Sequence, residues 1–142
     1  MKQADQLVQK IELAESIIGL RKDGILHVYF RPHAEITVEY QLQQLEVLMQ
    51  ITGGKKHPAI YEADEYVTVG SAARDHAIEL ESRMPILCNV VFVKSLAHKI
   101  ISEFYYKFNK PKKPYKVFSD FEEGIAWLNK TRRELEDASA SG

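Results

Sequence analysis

Ala59-Ile60-Tyr61-Glu62-Ala63-Asp64-Glu65-Tyr66-Val67-Thr68-Val69-Gly70-Ser71-Ala72-Ala73-Arg74 reads as a short buried strand, an acidic exit, and a turn into a helix. An open α/β sheet usually does its work at such a strand-to-helix crossing. Two further strand-helix units follow. Ile86 to Lys94 is the most apolar run and suits a strand covered on both faces. The helix Ser95 to Asn109 carries Leu96, Ile100, Ile101, Phe104, Tyr105 and Phe108 at helical spacing, and Pro111 and Pro114 end it. Tyr115 to Phe118 is the last strand. Ser119-Asp120-Phe121-Glu122 reads as a capping box opening a helix whose inner stripe is Phe121, Ile125 and Leu128.

Before the crossing, Ser16 to Arg21 and Ile25 to Phe30 flank Lys22-Asp23-Gly24. That is a hairpin signal, because glycine accepts the positive φ of a tight turn. Leu26, Val28 and Phe30 are expected to meet the core, and Ile25, His27 and Tyr29 to face a partly wet side. Pro32 stops the strand, and Ala34 to Thr37 is an extended piece. A helix over Val38 to Thr52 follows, with Thr37 as N-cap and Gly53-Gly54 past its end. Its expected buried stripe is Leu42, Leu45, Leu48 or Met49, and Thr52. Helices between strands imply parallel neighbours and right-handed crossovers. The expectation is one α/β domain over residues 1–142, a mixed sheet of about five strands with an N-terminal hairpin and about four helices. Residues 1–10 read as a loose lead-in and 134–142 as a disordered tail.

The 142 residues, 45% hydrophobic and 27% charged, suit one soluble core. A net charge of −1 gives no global pull toward nucleic acid or anionic membrane. Cys88 is the sole cysteine, so no internal disulfide forms and multi-cysteine zinc sites are excluded. No run is long enough for a membrane span, and the N-terminus lacks a signal peptide's apolar core. The chain reads as cytoplasmic.

With the elements in this order, the chain resembles the SpoIIAA-like (STAS-type) fold over roughly residues 14 to 130. The resemblance is carried by Asp23 to Val28, by the turn Val67 to Ser71, and by the ending Val117 to Leu128. That ending is similar to the close of uncharacterised bacterial SpoIIAA-like proteins. Antagonists of this family carry a phosphorylatable serine at the start of the helix after the third strand, usually in an Asp-Ser-Ser/Thr-Gly setting. The corresponding place here is Val67-Thr68-Val69-Gly70-Ser71, without the aspartate or the paired hydroxyls. The resemblance therefore implies the fold rather than the switch.

Thr68, Gly70, Ser71 and Arg74 are the candidates for contact with a partner or an anion. A hydroxyl at a helix start can take a phosphate, although serine there is commonly a cap contributing about 1 kcal/mol. Arg74 can bind an anion or pair with Asp64 or Glu65 to fix the loop. Tyr106, Lys107, Lys110, Lys112 and Lys113 form a basic-aromatic stretch that suits an anionic head group or a solvated rim. His27, His33, His57 and His98 show no ligand spacing, and Cys88 reads as an inert hydrophobe. No cofactor, metal or catalytic motif is expected. Three functions follow. The first is a non-enzymatic interaction domain, working with a protein partner or as a homodimer through Val67 to Arg74. The second is a carrier with an apolar pocket between the helices Ser71 to Met84 and Ser95 to Asn109. The third is an enzyme, on condition that Glu62, Asp64 and His76 converge in a cleft.

Overall fold

The computed structural model describes residues 7–95 and 111–141. The chain runs β1 (Leu7–Glu12), β2 (Ser16–Arg21), β3 (Leu26–Phe30), β4 (Glu35–Ile36), α1 (Val38–Thr52), β5 (His57–Ala63), β6 (Thr68–Val69) and α2 (Ser71–Leu80). A 3₁₀ turn (Glu81–Arg83), β7 (Ile86–Phe92), β8 (Tyr115–Phe118) and α3 (Phe121–Ser141) complete it. The main sheet has six strands in the order β1-β2-β3-β5-β7-β8. β1, β2 and β3 are antiparallel neighbours, whereas β5, β7 and β8 run parallel to β3. β4 and β6 form a separate two-residue parallel ladder.

Local chemistry sets these boundaries. Gly24 holds φ 81 at the hairpin turn, where the Asp23 carboxylate accepts the Ile25 amide. Arg132 of α3 donates to the Asp23 carbonyl, and a 3.1 Å bond thus ties the last helix to the first hairpin. Thr37 caps α1 by accepting from the Tyr40 amide, and Gly53 closes it by donating to the Met49 carbonyl. At α3 the cap is Asp120, which accepts from the Glu123 amide at 2.9 Å. The box read at Ser119 and Glu122 lies one residue later, because Asp120 is also a cap-forming residue and sits closer to the first turn.

The sheet is covered on both faces. On one, Ile18, Leu26, Val28, Ala59 and Ile86 pack with Leu45, Val47, Leu48 and Ile51 of α1 and with Leu80 and Met84. On the other, Ile25, Ile60, Cys88 and Val90 pack with Ile125 and Leu128 of α3. Gly124 lets α3 sit close, since a Cβ there would lie 3.0 Å from Val90 Cγ1. On the face expected to be partly wet, Ile25 and His27 are buried beneath α3, and Tyr29 keeps partial exposure.

Four expectations change. Leu7–Glu12, read in large part as lead-in, is the sheet's edge strand, a strand with few apolar residues because only Leu7 and Ile11 are half-buried. α3 continues past Glu134 to Ser141, with Leu135 packed on the core. The expected strands Ala59 to Ala63 and Ile86 to Lys94 become His57–Ala63 and Ile86–Phe92, and the helix from Ser71 stops at Leu80. The stripe on α1 is rotated: Tyr40, Gln41, Gln44, Leu45, Val47, Leu48 and Ile51 are buried, while Leu42 and Met49 are 47% and 43% exposed. The Tyr40 hydroxyl donates to Ser16 and the Gln41 amide to the Ala73 carbonyl, so polar partners rather than periodicity choose the inner face. The expected helix Ser95 to Asn109 lies outside the described residues except for Ser95.

The rotated stripe is tested by a pair of truncations. Leu48→Ala removes a fully buried side chain and should lower unfolding free energy by about 2–5 kcal/mol. Leu42→Ala should change it by no more than about 0.5 kcal/mol. Denaturant unfolding of both variants measures the difference; equal losses would restore the original stripe.

Candidate functional site

In the crossing after β5, Val67 and Val69 line a cavity; Val69 is also 42% exposed, and Thr68 is exposed without lining it. Thr68 and Val69 pair with Glu35 and Ile36, and the Thr68 amide donates to the Ala34 carbonyl. Flanking loops hold this ladder: His33 and Tyr66 both have positive φ and stack their rings at 5.0 Å. Gly70 is the N-cap of α2, and no side chain caps the helix. Ser71 is thus the first helical residue and not the cap; its side chain is exposed, as is that of Arg74. Asp64 is engaged by Tyr29 and lies 3.9 Å from Lys94, so the expected loop-fixing pair with Arg74 does not form there.

The cavity itself is about 350 Å³ and lies over β5, β7 and β8 on the α1 face. Volumes of this order suit small-molecule sites. The sheet contributes Phe30, Tyr61, Ala63, Ile86, Asn89 and Val91 as its floor. Ala77 and Leu80 of α2 form one wall, Gln41 and Gln44 of α1 another, and Pro111, Lys113 and Tyr115 close the strand-start end. Gln41 is fully engaged, donating to Ala73 and bonding His76 Nδ1 at 2.7 Å. α2 walls this cavity, as it was to wall the pocket expected between the helices Ser71 to Met84 and Ser95 to Asn109. Its other expected wall, together with Tyr106, Lys107 and Lys110, lies outside the described residues. Lys112 is exposed, its amide donating to the Glu81 carboxylate, and Lys113 is half-buried, its ammonium donating to the Met84 carbonyl at 3.0 Å.

The acidic run does not converge. Glu62 is on the α3 face, 7% exposed, with its carboxylate 3.3 Å from His27 Nε2, while His76 sits on the α1 face against Gln41. The condition set for an enzyme built on Glu62, Asp64 and His76 is not met. The His27–Glu62 pair was missed in the sequence because 35 residues separate partners that only the β3–β5 register brings together. Phe121 lies over His27, with ring centroids 5.5 Å apart, and the Arg21 guanidinium stands over the same ring. Two neighbouring buried polar groups satisfy each other and carry the contact to α3. Among the described residues, no group of three His, Cys, Asp or Glu side chains is placed to hold a metal ion. Burial pushes the Cys88 thiol up to about 11, which keeps it protonated and inert. Among the described residues no helix is long and apolar enough to cross a membrane.

Tyr29 donates to Asp64 at 2.5 Å. That bond, and then the Glu65 amide, hold the Asp64 carboxyl below the usual carboxylate range. The same bond, with burial and the nearby negative charges of Asp64 and Glu62, pushes the Tyr29 phenol up to about 12.

Residues 18–132 match the family described as Domain of unknown function (DUF7793), and the chain belongs to that family. Its structure is similar to that of an uncharacterised protein from the DUF3478 family with a SpoIIAA-like fold from Shewanella loihica PV-4. The TM-score is 0.59 at 16% identity, covering 84% of this chain and 98% of that one. A protein of unknown function from Arthrobacter sp. FB24 matches at 20% identity over 83% of this chain and 95% of that chain, with a TM-score of 0.30. No curated protein matches the sequence. The fold is SpoIIAA-like, as the order of elements implied.

The Tyr29–Asp64 bond makes stability pH-dependent at both ends. A carboxyl with a lowered folded-state pKa contributes stability above the unfolded value, near 4, and loses it as pH falls through the folded value. A phenol raised to about 12 contributes below about 10 and loses its share as pH rises through 12. Tyr29→Phe should bring the Asp64 midpoint back up toward the ordinary range in a carbon-NMR titration. An unmoved midpoint would show that the hydroxyl is not its cause.

Proposed function

We propose that the chain is a non-enzymatic binding domain that holds a small, largely apolar ligand in the cavity between α1, α2 and the sheet. The observation that carries this reading is the cavity: about 350 Å³, floored by aliphatic and aromatic residues, with few polar groups on its walls. A recess of this volume, lined mainly by apolar side chains with a few polar groups, has the usual make-up of a small-molecule site. The walls suit orientation of a ligand, since Gln41 is immobilised by its two partners and Lys113 by Met84.

Native mass spectrometry of the purified protein and titration with a neutral apolar fluorophore test the reading. One ligand should bind per chain, saturably. Ala77→Phe places a ring in the cavity from α2 and should weaken binding by about tenfold or more, as expected when a well-packed contact is displaced. No saturable binding by wild type, or none of this loss in the variant, would overturn it.

A second reading, contact with a protein partner or a second copy through the crossing, has its own support. Thr68, Gly70, Ser71 and Arg74 are exposed, and so are the apolar Val69 and Ile78, the latter 61% exposed. Light scattering on wild type and Ile78→Glu tests it: a dimer or captured partner should be lost in the variant. A monomer without a partner in wild type counts against it.

A further inference from the structure

The cavity is chemically lopsided along the strands. Near the strand ends at the crossing its described lining is Phe30, Ile36, Ala63, Val67, Val69 and Val91, with no charge. At the strand starts it meets Met84, Ile86, Glu81 and Lys113, and these last two are the charged members of the described lining. From Ile86 to Val91 the floor runs about 16 Å at the strand rise of roughly 3.3 Å per residue. One end of an elongated apolar space is therefore ionic.

The sign of that end is positive. The Glu81 carboxylate is committed to the Lys112 amide, at 2.9 and 3.1 Å from its two oxygens. Lys112 follows directly on this bond, Lys113 lines the cavity, and Lys56 lies near enough to act on the Lys113 charge. Two ammonium groups, those of Lys113 and Lys56, thus stand near one carboxylate. The single bond from Lys113 to the Met84 carbonyl does not exhaust an ammonium's three donors.

Resting on the reading of the cavity as a binding site, we propose that its ligand is an amphipathic anion with a narrow apolar tail, a free medium-chain carboxylate. The carboxylate sits at Lys113, and the tail runs over β7 toward Val67 and Val69. Burial lowers the Lys113 ammonium from the ordinary lysine range, with Glu81 acting against this and Lys56 with it. An anion at the cavity's ionic end supplies the compensation that a half-buried cation needs. The apolar end offers the tail no competing charge.

Three amphiphiles with one tail and different heads test this: dodecanoate, dodecan-1-ol and dodecyltrimethylammonium. Each is titrated into delipidated full-length protein by calorimetry below its micelle concentration. Dodecanoate should bind at least about tenfold more tightly than the alcohol, the scale of one charge-assisted hydrogen bond in a partly dry site. Lys113→Met should abolish that preference, so that dodecanoate and the alcohol bind alike in the variant, and Lys113→Arg should retain it. Equal binding of alcohol and carboxylate in wild type, or preference for the ammonium, overturns the head-group assignment and leaves the cavity reading standing. Binding of none of the three overturns both.

Discussion

The structure depends on the paired strands β3 and β5 being covered on both of their faces. Leu26, Val28 and Ala59 point to one side, and Ile25 and Ile60 to the other, all fully buried. Strands of this kind need two covers, since each exposed aliphatic side chain forgoes about 1.5–3 kcal/mol of burial. α1 provides one cover and α3 the other, which is why a helix after β8 must return to the hairpin at Asp23. The second cover also encloses His27 and Glu62. Buried ionisable groups are tolerated when they bond each other, and removal of either partner is then worse than their joint presence.

The same constraint explains the cavity. Among the described residues, α1 packs over β2, β3 and β5, and α2 stands beside the β5–β7–β8 half of that face. α2 is ten residues long and buries only Ala73 and Leu80. Ala77 lines the cavity with a single methyl group, while Ala73 is buried and its carbonyl accepts from Gln41 of α1. A short helix with small side chains stands over a broad apolar floor without reaching it.

Much of this architecture was legible because it is written locally. Asp23-Gly24 fixes the hairpin, Thr37 and Gly53 bound α1, and the apolar run at Ile86 marks β7; each signal and its cause lie within a few residues. What was not legible depends on partners distant in the chain. The α1 stripe was misplaced because Tyr40 and Gln41 owe their burial to Ser16 and Ala73. β1 was hidden because an edge strand buries little and shows weak alternation. Ser71 drew attention as a cap, yet Gly70 adopts the extended N-cap geometry and leaves the hydroxyl outside. For the site, the crossing and Lys113 were visible as residues, but the cavity joining them is a property of packing.

That junction bears on how the two binding readings relate. Val69 lines the cavity and is also 42% exposed, and its ladder partner Ile36 lines the same space. The β4–β6 ladder has only two residues per strand, and its flanks are held by the Ala34–Thr68 and His33–Glu65 backbone bonds and the His33–Tyr66 ring stack. Short ladders with few buried contacts belong to the least stable parts of a fold. A ligand touching Val67 and Val69 would act on the ladder only by the difference between its contacts with the closed and the opened arrangement. Thr68, Gly70 and Ser71 ride on that ladder with their outer faces in solvent. The β4–β6 ladder therefore borders the cavity through Ile36 and Val69 and solvent through Thr68, so a surface that lacks the phosphorylation motif still has a physical route by which its presentation could depend on what lies beneath it.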